Sequence, residues 1–204
     1  NPITGIACLA QNLREEREND GELTEISGQI LEQTKRVSRI VQSLMSFAHA
    51  GGRQQAHEPV CVAEAAQEAI ALLSLNRQSV DVDFFNLCDP EHLVQGDPQR
   101  LVQVMINLLK NAAEAVAKPG GEIVLSTAFR HGMKVAVKGS NRRIAVPLEV
   151  CVTDNGPGAA DDLIDHLFEP FVSGKPNGTG LGLALVAKVV RDHGGIVEYH
   201  RTQD

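Results

Sequence analysis

The sequence predicts an α+β chain: a two-helix hairpin, a four-helix bundle as a dimer, followed by an α/β sandwich in which a mixed sheet packs on helices. Three observations carry this expectation. A nearly heptad apolar stripe runs through the first fifty residues. From His57 onward, amphipathic helical runs interleave with alternating strands. Near the C-terminus, Asp154-Asn155-Gly156-Pro157-Gly158 is followed twenty residues on by Gly178-Thr179-Gly180-Leu181-Gly182-Leu183, which opens into an apolar helical run.

The elements follow in order. Asn1-Pro2-Ile3-Thr4-Gly5-Ile6 opens a helix with apolar positions at Ile6, Leu9 and Leu13, and the charged run Arg14 to Asp20 with Gly21 ends it. A second helix carries Ile26, Ile30, Val37, Ile40, Val41, Leu44 and Phe47. Two helices cannot bury such stripes alone, so a symmetric homodimer is the natural solution. Residues 1–50 form this hairpin, 51–56 a polar linker built on Gly51-Gly52-Arg53-Gln54-Gln55, and 57–204 the second unit. There, Val60-Cys61-Val62 is strand-like, Ala63 to Leu75 an amphipathic helix, Val80 to Phe85 a strand and Leu93-Val94-Gln95 a short one. Asp97-Pro98 starts a helix, with Asp as N-cap and Pro at the first position. Ile123 to Phe129 and Leu148 to Thr153 are strands flanking a hairpin excursion through Gly139-Ser140-Asn141. That excursion is basic (Lys134, Lys138, Arg142, Arg143), as a solvated loop or as a docking surface. Leu181 to Val190 is helical, Asp192-His193-Gly194-Gly195 a turn, and Ile196 to Tyr199 a strand.

The two glycine blocks describe a nucleotide pocket. The first sets a carboxylate beside a tight turn; the second is a glycine loop running into a helix N-terminus, whose free N–H groups and partial positive charge favour phosphate oxygens. Neither a Walker loop nor a Rossmann fingerprint is present: no G-x-x-x-x-G-K-[ST] string occurs, and the glycine run lies far from any first strand-to-helix turn. Upstream, Gln103-Val-Met-Ile-Asn107-Leu-Leu-Lys110-Asn111-Ala-Ala-Glu114-Ala places Asn107 and Asn111 on one helical face, opposite Leu101, Val104, Met105, Leu108 and Leu109. Asparagine is a poor helix former, and its amide oxygen suits Mg²⁺, a hard cation usually shared with substrate phosphates.

With these blocks in place, the chain resembles the catalytic region of two-component sensor histidine kinases, within the GHKL superfamily that also holds gyrase-type and chaperone-type ATPases. The likeness spans essentially all 204 residues. It rests on the box around Asn107 and Asn111, the glycine boxes at Asp154–Gly158 and Gly178–Leu183, and the run Leu167-Phe168-Glu169-Pro170-Phe171. The stretch Arg130-His131-Gly132 through Pro147-Leu148-Glu149 is similar to the nitrogen-regulation branch.

The resemblance implies a role for each box. Asp154 would take the adenine amine of ATP, with Gly156 and Gly158 lining the adenine side. Asn111 would hold Mg²⁺ and the phosphates, with Asn107 and Lys110 as neighbours. Gly178, Thr179, Gly180, Leu181 and Gly182 would close over the triphosphate, with Phe168 and Phe171 packed beneath. Lys175 stands just before this loop and either reaches a phosphate or is a solvated lysine. Hydrolysing relatives carry a glutamate four residues before the Mg²⁺ asparagine; here that position is Asn107, which cannot act as a base at neutral pH. Phosphoryl transfer is therefore expected over hydrolysis.

The hairpin would then carry the acceptor. The family motif His-(Glu/Asp)-x-x-(Asn/Thr)-Pro is represented here only by its Asn1-Pro2 end, so the acceptor histidine is expected four residues before Asn1, and this stretch is expected not to phosphorylate itself. Asn1 itself resembles the residue that orients water in bifunctional kinase/phosphatase members. The family continues with one more strand, so the domain is expected to stop short at Asp204. A response regulator is the implied partner. Two rivals stay open: a superfamily ATPase clamp and a degenerate scaffold that binds no nucleotide.

Composition excludes more than it assigns. A net charge of −7 argues against nucleic-acid binding. Cys8, Cys61, Cys88 and Cys151 form no CxxC and suit a reducing, cytoplasmic setting. No apolar run reaches the roughly 18 residues that span a bilayer, so any membrane contact is expected to come from regions upstream.

Overall fold

The computed structural model describes residues 2–16, 21–49, 58–75, 82–116, 120–132, 134–136, 143–175 and 178–201. The chain begins with helices α1 (Pro2–Glu16) and α2 (Gly21–His49), which pack side by side. Between the helices, Ala10, Ser27, Leu31 and Thr34 are buried, and the two hydroxyls donate to carbonyls one turn back, Ser27 to Thr24 and Thr34 to Ile30. Much of the apolar stripe stays outside that seam. Ile6, Leu9, Leu13, Ile26, Ile30, Val37, Ile40, Val41 and Leu44 are exposed. Residues 51–56, read as the linker, lie outside the described residues, as does Asn1.

The second set of elements is β1 (Glu58–Cys61), α3 (Val62–Leu75), β2 (Val82–Leu87), β3 (Leu93–Gly96), α4 (Pro98–Ala115), β4 (Gly121–Phe129), β5 (Lys134–Ala136), β6 (Arg143–Ala145), β7 (Leu148–Asp154) and α5 (Gly182–Asp192). The main sheet has the order β2-β4-β7, parallel between β2 and β4 and antiparallel between β4 and β7. It is the mixed sheet expected. β1 pairs antiparallel with β3, and β5 with β6. One face of the main sheet carries Val82, Ile123 and Leu125 into a core shared with Val62, Ala65, Ala66 and Ala69 of α3 and Val102, Met105, Leu109 and Ala112 of α4. The other face is half open, with Phe85 and Leu87 exposed.

Helix α4 begins where Asp97-Pro98 places it. Asp97 is extended (φ −92°, ψ 117°), and its Oδ1 accepts from the backbone N–H groups of Gln99 and Arg100. His193, just past α5, fastens to the same corner. Its Nε2 accepts from Asp97 N–H at 3.2 Å while Nδ1 lies 2.7 Å from the Val189 carbonyl. Asp97 N–H is a donor, which requires Nε2 to be bare and fixes the proton on Nδ1.

One element differs from expectation. Residues Ile196–Tyr199 join no ladder among the described residues. This segment is held by side chains instead, as Tyr199 and Arg201 fasten to the loop after β7. A strand needs a facing edge for its backbone groups, and here the attachment point is a turn. The excursion between β5 and β6 falls on residues 137–142, outside the described residues.

Among the described residues all four cysteines are free. Burial pushes the Cys88 and Cys151 thiols up, which suits inert packing groups. No helix of the described residues is long and apolar enough to cross a membrane.

Replacing Asp97 by Ala removes the cap of α4 and is expected to cost about 1–2 kcal/mol. Urea unfolding followed by circular dichroism reads the change, with Gln99→Ala as the control that leaves the cap intact.

Candidate functional site

Helix α4 has three stripes set by its 3.6-residue period. Val102, Met105, Leu109 and Ala112 face the sheet and α3, while Val104 packs with Leu185, Val186 and Val189 of α5. The remaining stripe, Asn107, Asn111 and Glu114, meets the glycine-rich segments. A methyl group on Gly182 would sit 3.7 Å from Asn107 Oδ1 and 3.8 Å from Asn111 Nδ2. The α5 N-terminus, with its uncapped backbone N–H groups, is thus brought to the asparagine pair. Asn107 Nδ2 is buried without a hydrogen-bond partner. A buried donor left over in a polar wall at a helix N-terminus fits a ligand rich in acceptor oxygens.

The first glycine block reaches α4 one turn further along. Asp154 ends β7, and its Oδ1 accepts from Gly156 N–H at 2.9 Å, closing a tight turn. A Cβ on Gly156 would lie 3.2 Å from Ala115 Cβ, so the turn rests on the end of α4. Asn155 stitches the turn to β4. Its Oδ1 accepts from Glu122 N–H, and its Nδ2 donates to the Gly120 carbonyl. Gly158, at φ 76°, is placed against Tyr199 and Arg201 rather than against α4. Tyr199 Oη accepts from Ala159 N–H at 2.9 Å, and the Arg201 guanidinium donates to the Ala159 carbonyl and pairs with Asp161 at 3.0 Å. The chain segment after α5 therefore braces the far side of the first block.

Between the blocks, a 3-10 turn at Ile164–His166 leads to Phe171. The Glu169 carboxylate hydrogen-bonded to His166 Nδ1 holds that imidazole above its ordinary range. Phe171 is the one described non-glycine residue with positive φ, at 67°. Its N–H donates to the Gly180 carbonyl at 2.9 Å. Gly180 also has positive φ, 64°, and a Cβ there would fall 2.4 Å from the Phe171 carbonyl carbon. The loop from Phe171 to Gly180 is thus closed at its base by backbone against backbone, a junction only glycine fits. The expected packing of Phe171 beneath the loop is corrected here. The residue is 69% exposed, and its backbone lies against Gly180, while Phe168 is half-buried. A ring cannot fill a space its own main chain occupies.

Leu181 is buried and anchors the junction to the core, and its N–H lies 3.4 Å from Thr179 Oγ1. Gly178 is exposed at the rim, and Lys110 is exposed on the side of α4 next to the asparagine stripe. Lys175, on the loop, reaches α4: its Nζ is 2.6 Å from Glu114 Oε2. The structure thus gathers Asn107, Asn111, Gly156, Gly182 and Lys175 along one helix. It adds Glu114, Ala115, Asn155, Tyr199 and Arg201, to which no role was attached. Glu114 carried a visible signal, three residues beyond Asn111 on the same face; Tyr199 and Arg201 carried none, because their contacts span 40 or more residues.

No group of three or more His, Cys, Asp or Glu side chains among the described residues is arranged to hold a metal. A divalent cation at this site would rely on an Asn111 amide oxygen and on oxygens brought by the ligand, an arrangement Mg²⁺ tolerates because it keeps several waters and substrate phosphates.

The comparisons agree with this geometry. The model of the histidine kinase-, DNA gyrase B- and HSP90-like ATPase family matches residues 96–204. The sensory histidine kinase/phosphatase NtrB of Rhizobium leguminosarum bv. phaseoli is 40% identical over 201 residues, covering 97% of this chain and 51% of that protein. NtrB of Azospirillum brasilense is 39% identical, covering 98% and 49%. The chain spans about half the length of the curated relatives it matches. Among solved structures, the mycobacterial sensor histidine kinase MprB aligns with a TM-score of 0.54 at 30% identity, over 68% of this chain and 80% of that one. Full-length ShkA in complex with AMPPNP aligns with a TM-score of 0.61 over 93% of this chain and 38% of that one; at 22% identity it shows shared fold. With the asparagine pair, both glycine blocks and the helix N-terminus meeting on one wall, the chain belongs to the histidine kinase-, DNA gyrase B- and HSP90-like ATPase family.

Proposed function

We propose that this chain is the ATP-binding catalytic core of a sensor histidine kinase, transferring the γ-phosphoryl group of ATP to a histidine and from there to an aspartate of a response regulator. The observation that carries the reading is the meeting of Asn107, Asn111 and the N-terminus of α5 at Gly182, with the Asn107 amide donor buried and unpartnered. The printed names of the relatives, sensory histidine kinases/phosphatases, support it.

Each residue has a part. Asp154 accepts from the adenine amine, while its Oδ1 accepts from Gly156 N–H, which fixes the carboxylate in the turn. Gly156 leaves room beside the base, while Gly158, expected there, faces Tyr199 and Arg201 instead. Asn107 and Asn111 orient the phosphates against the free N–H groups of Gly182 and its neighbours, and Gly178, Thr179, Gly180 and Leu181 form the loop that covers them. Lys110 and Lys175 add positive charge at the rim. Mg²⁺, bound through Asn111, would neutralise charge on the phosphates. In transfer, the bond between the γ-phosphorus and the β–γ bridging oxygen breaks, a nitrogen–phosphorus bond forms on the acceptor imidazole, and ADP leaves. Asn107 offers no base for water, so catalysis is positioning and charge neutralisation.

The domain division follows the same reading: residues 1–50 as dimerisation and phosphotransfer hairpin, 51–56 as linker and 57–204 as ATPase domain. The exposed stripe on α1 and α2 supports a homodimer. A cavity of about 490 Å³ lined by Ile3, Ile6, Ile26, Ile30 and Val37 lies along it. Asn1 in this scheme orients the water that removes phosphate from the regulator. A plain ATP hydrolase is the less favoured alternative, because position 107 holds an amide where a base is needed.

Calorimetric titration with Mg²⁺ and a non-hydrolysable ATP analogue tests the pocket. The chain is expected to bind, and Asp154→Ala to lose roughly 10- to 100-fold in affinity, the scale of a lost charge-assisted hydrogen bond. No binding by the parent chain would sink the reading. Gly180→Ala is expected to weaken binding at least as much while leaving the circular dichroism spectrum unchanged, because the displaced backbone is that of Phe171. Sedimentation equilibrium should show a dimer that Val37→Glu drives to monomer.

A further inference from the structure

Lys175 is the only basic residue between Phe171 and Gly180, and Glu114 the only acidic residue of α4. The structure joins these two, Nζ to Oε2 at 2.6 Å. Glu114 lies three residues past Asn111, so the pair sits about 4.5 Å along the helix axis from the asparagine that faces Gly182. The loop carrying Lys175 is closed at its base by the Phe171–Gly180 junction. An ion pair at Lys175 therefore ties the loop to the wall of the pocket at a second point.

Both side chains are 44% exposed. A solvated pair of this kind is weak and screened, so it yields readily to a stronger anion. Phosphate oxygens gathered at Asn111 and the α5 N-terminus would lie close to the Glu114 carboxylate and would compete with it for the one cation of the loop.

From this arrangement we infer that Glu114 is a positioning residue that latches the loop through Lys175 in the nucleotide-free protein, and that the nucleotide must take Lys175 from it. The inference rests on the proposed nucleotide site and assigns a charged competitor within it. Glu114 consequently works against the ligand with more negative charge. It narrows the preference for ATP over ADP that Lys175 would otherwise give, and Lys175 passes from Glu114 to the terminal phosphate as the loop covers it.

The test uses the 204-residue chain and the variants Glu114→Gln, Lys175→Met and their combination. Hydrogen–deuterium exchange over Phe171–Gly180 is measured without nucleotide, and Kd is measured for ADP and for a non-hydrolysable ATP analogue. Glu114→Gln is expected to speed exchange of the loop and to tighten the ATP analogue about 3- to 10-fold with little change for ADP. In the Lys175→Met background, Glu114→Gln should have no further effect on exchange. The exchanged pair Glu114→Lys with Lys175→Glu should restore loop protection without restoring affinity. Unchanged loop exchange in Glu114→Gln overturns the latch. So does weaker binding of the ATP analogue, which would mean that Glu114 aims Lys175 at the phosphate. If the parent binds neither nucleotide while Glu114→Gln still loosens the loop, the latch stands and the nucleotide reading of the site falls.

Discussion

The burial of α4 on two sides is the constraint on which the rest of the structure depends. One stripe of this helix, Val102, Met105, Leu109 and Ala112, closes the core over the main sheet, and Val104 closes a second cluster with α5. A helix held on two sides has no freedom to rotate. Its third stripe, Asn107, Asn111 and Glu114, is therefore presented in a fixed orientation. The cap at Asp97, tied through His193 to the end of α5, sets where the helix begins and hence where along its length each asparagine lies. Packing, capping and site geometry are in this way one problem with one solution.

Around that wall the chain uses backbone where side chains would intrude. The Phe171–Gly180 junction brings two main-chain segments closer than any Cβ permits, and both residues adopt positive φ. A non-glycine residue in that region carries conformational strain, which persists only where neighbouring contacts fix it. Here the Phe171 N–H bond to Gly180 and the buried Leu181 supply them. The loop between is held at its stem, and Lys175 ties it to the pocket wall through a solvated ion pair with Glu114. A firm base with a weak outer contact suits a segment that must open and shut.

Chemistry at the site is governed by neutral amides. Asn107 and Asn111 face Gly182, and neither amide can act as a base at neutral pH. Charge enters only at the edges, through Lys110, Lys175, Glu114 and Asp154. That distribution leaves the site able to bind a highly charged ligand while its own carboxylates are few and placed apart. Outside this wall, the apolar stripe on α1 and α2 stays exposed.

Much of this was legible in the linear sequence, for local reasons. Asp97-Pro98 dictated the start of α4, the four-residue spacing of Asn107 and Asn111 dictated a common face, and the glycine blocks announced turns that side chains would obstruct. Strand alternation placed β4 and β7 to within two residues at either end. Contacts between residues far apart in sequence could not be read. The Lys175–Glu114 pair joins positions 61 apart, and Tyr199 meets Ala159 across 40. Periodicity carries no information at those distances, so the Ile196–Tyr199 segment looked like a strand when its side chains in fact fasten to a turn. The exposure of Phe171 escaped for the same reason, because only the close approach of Gly180 decides which part of that residue lies inside. The sequence by itself determined which residues share a face and where each element starts, since those depend on neighbours a few positions away. Only the tertiary structure decided which faces meet and which charges pair, since these depend on how α4 is wedged between the sheet and α5.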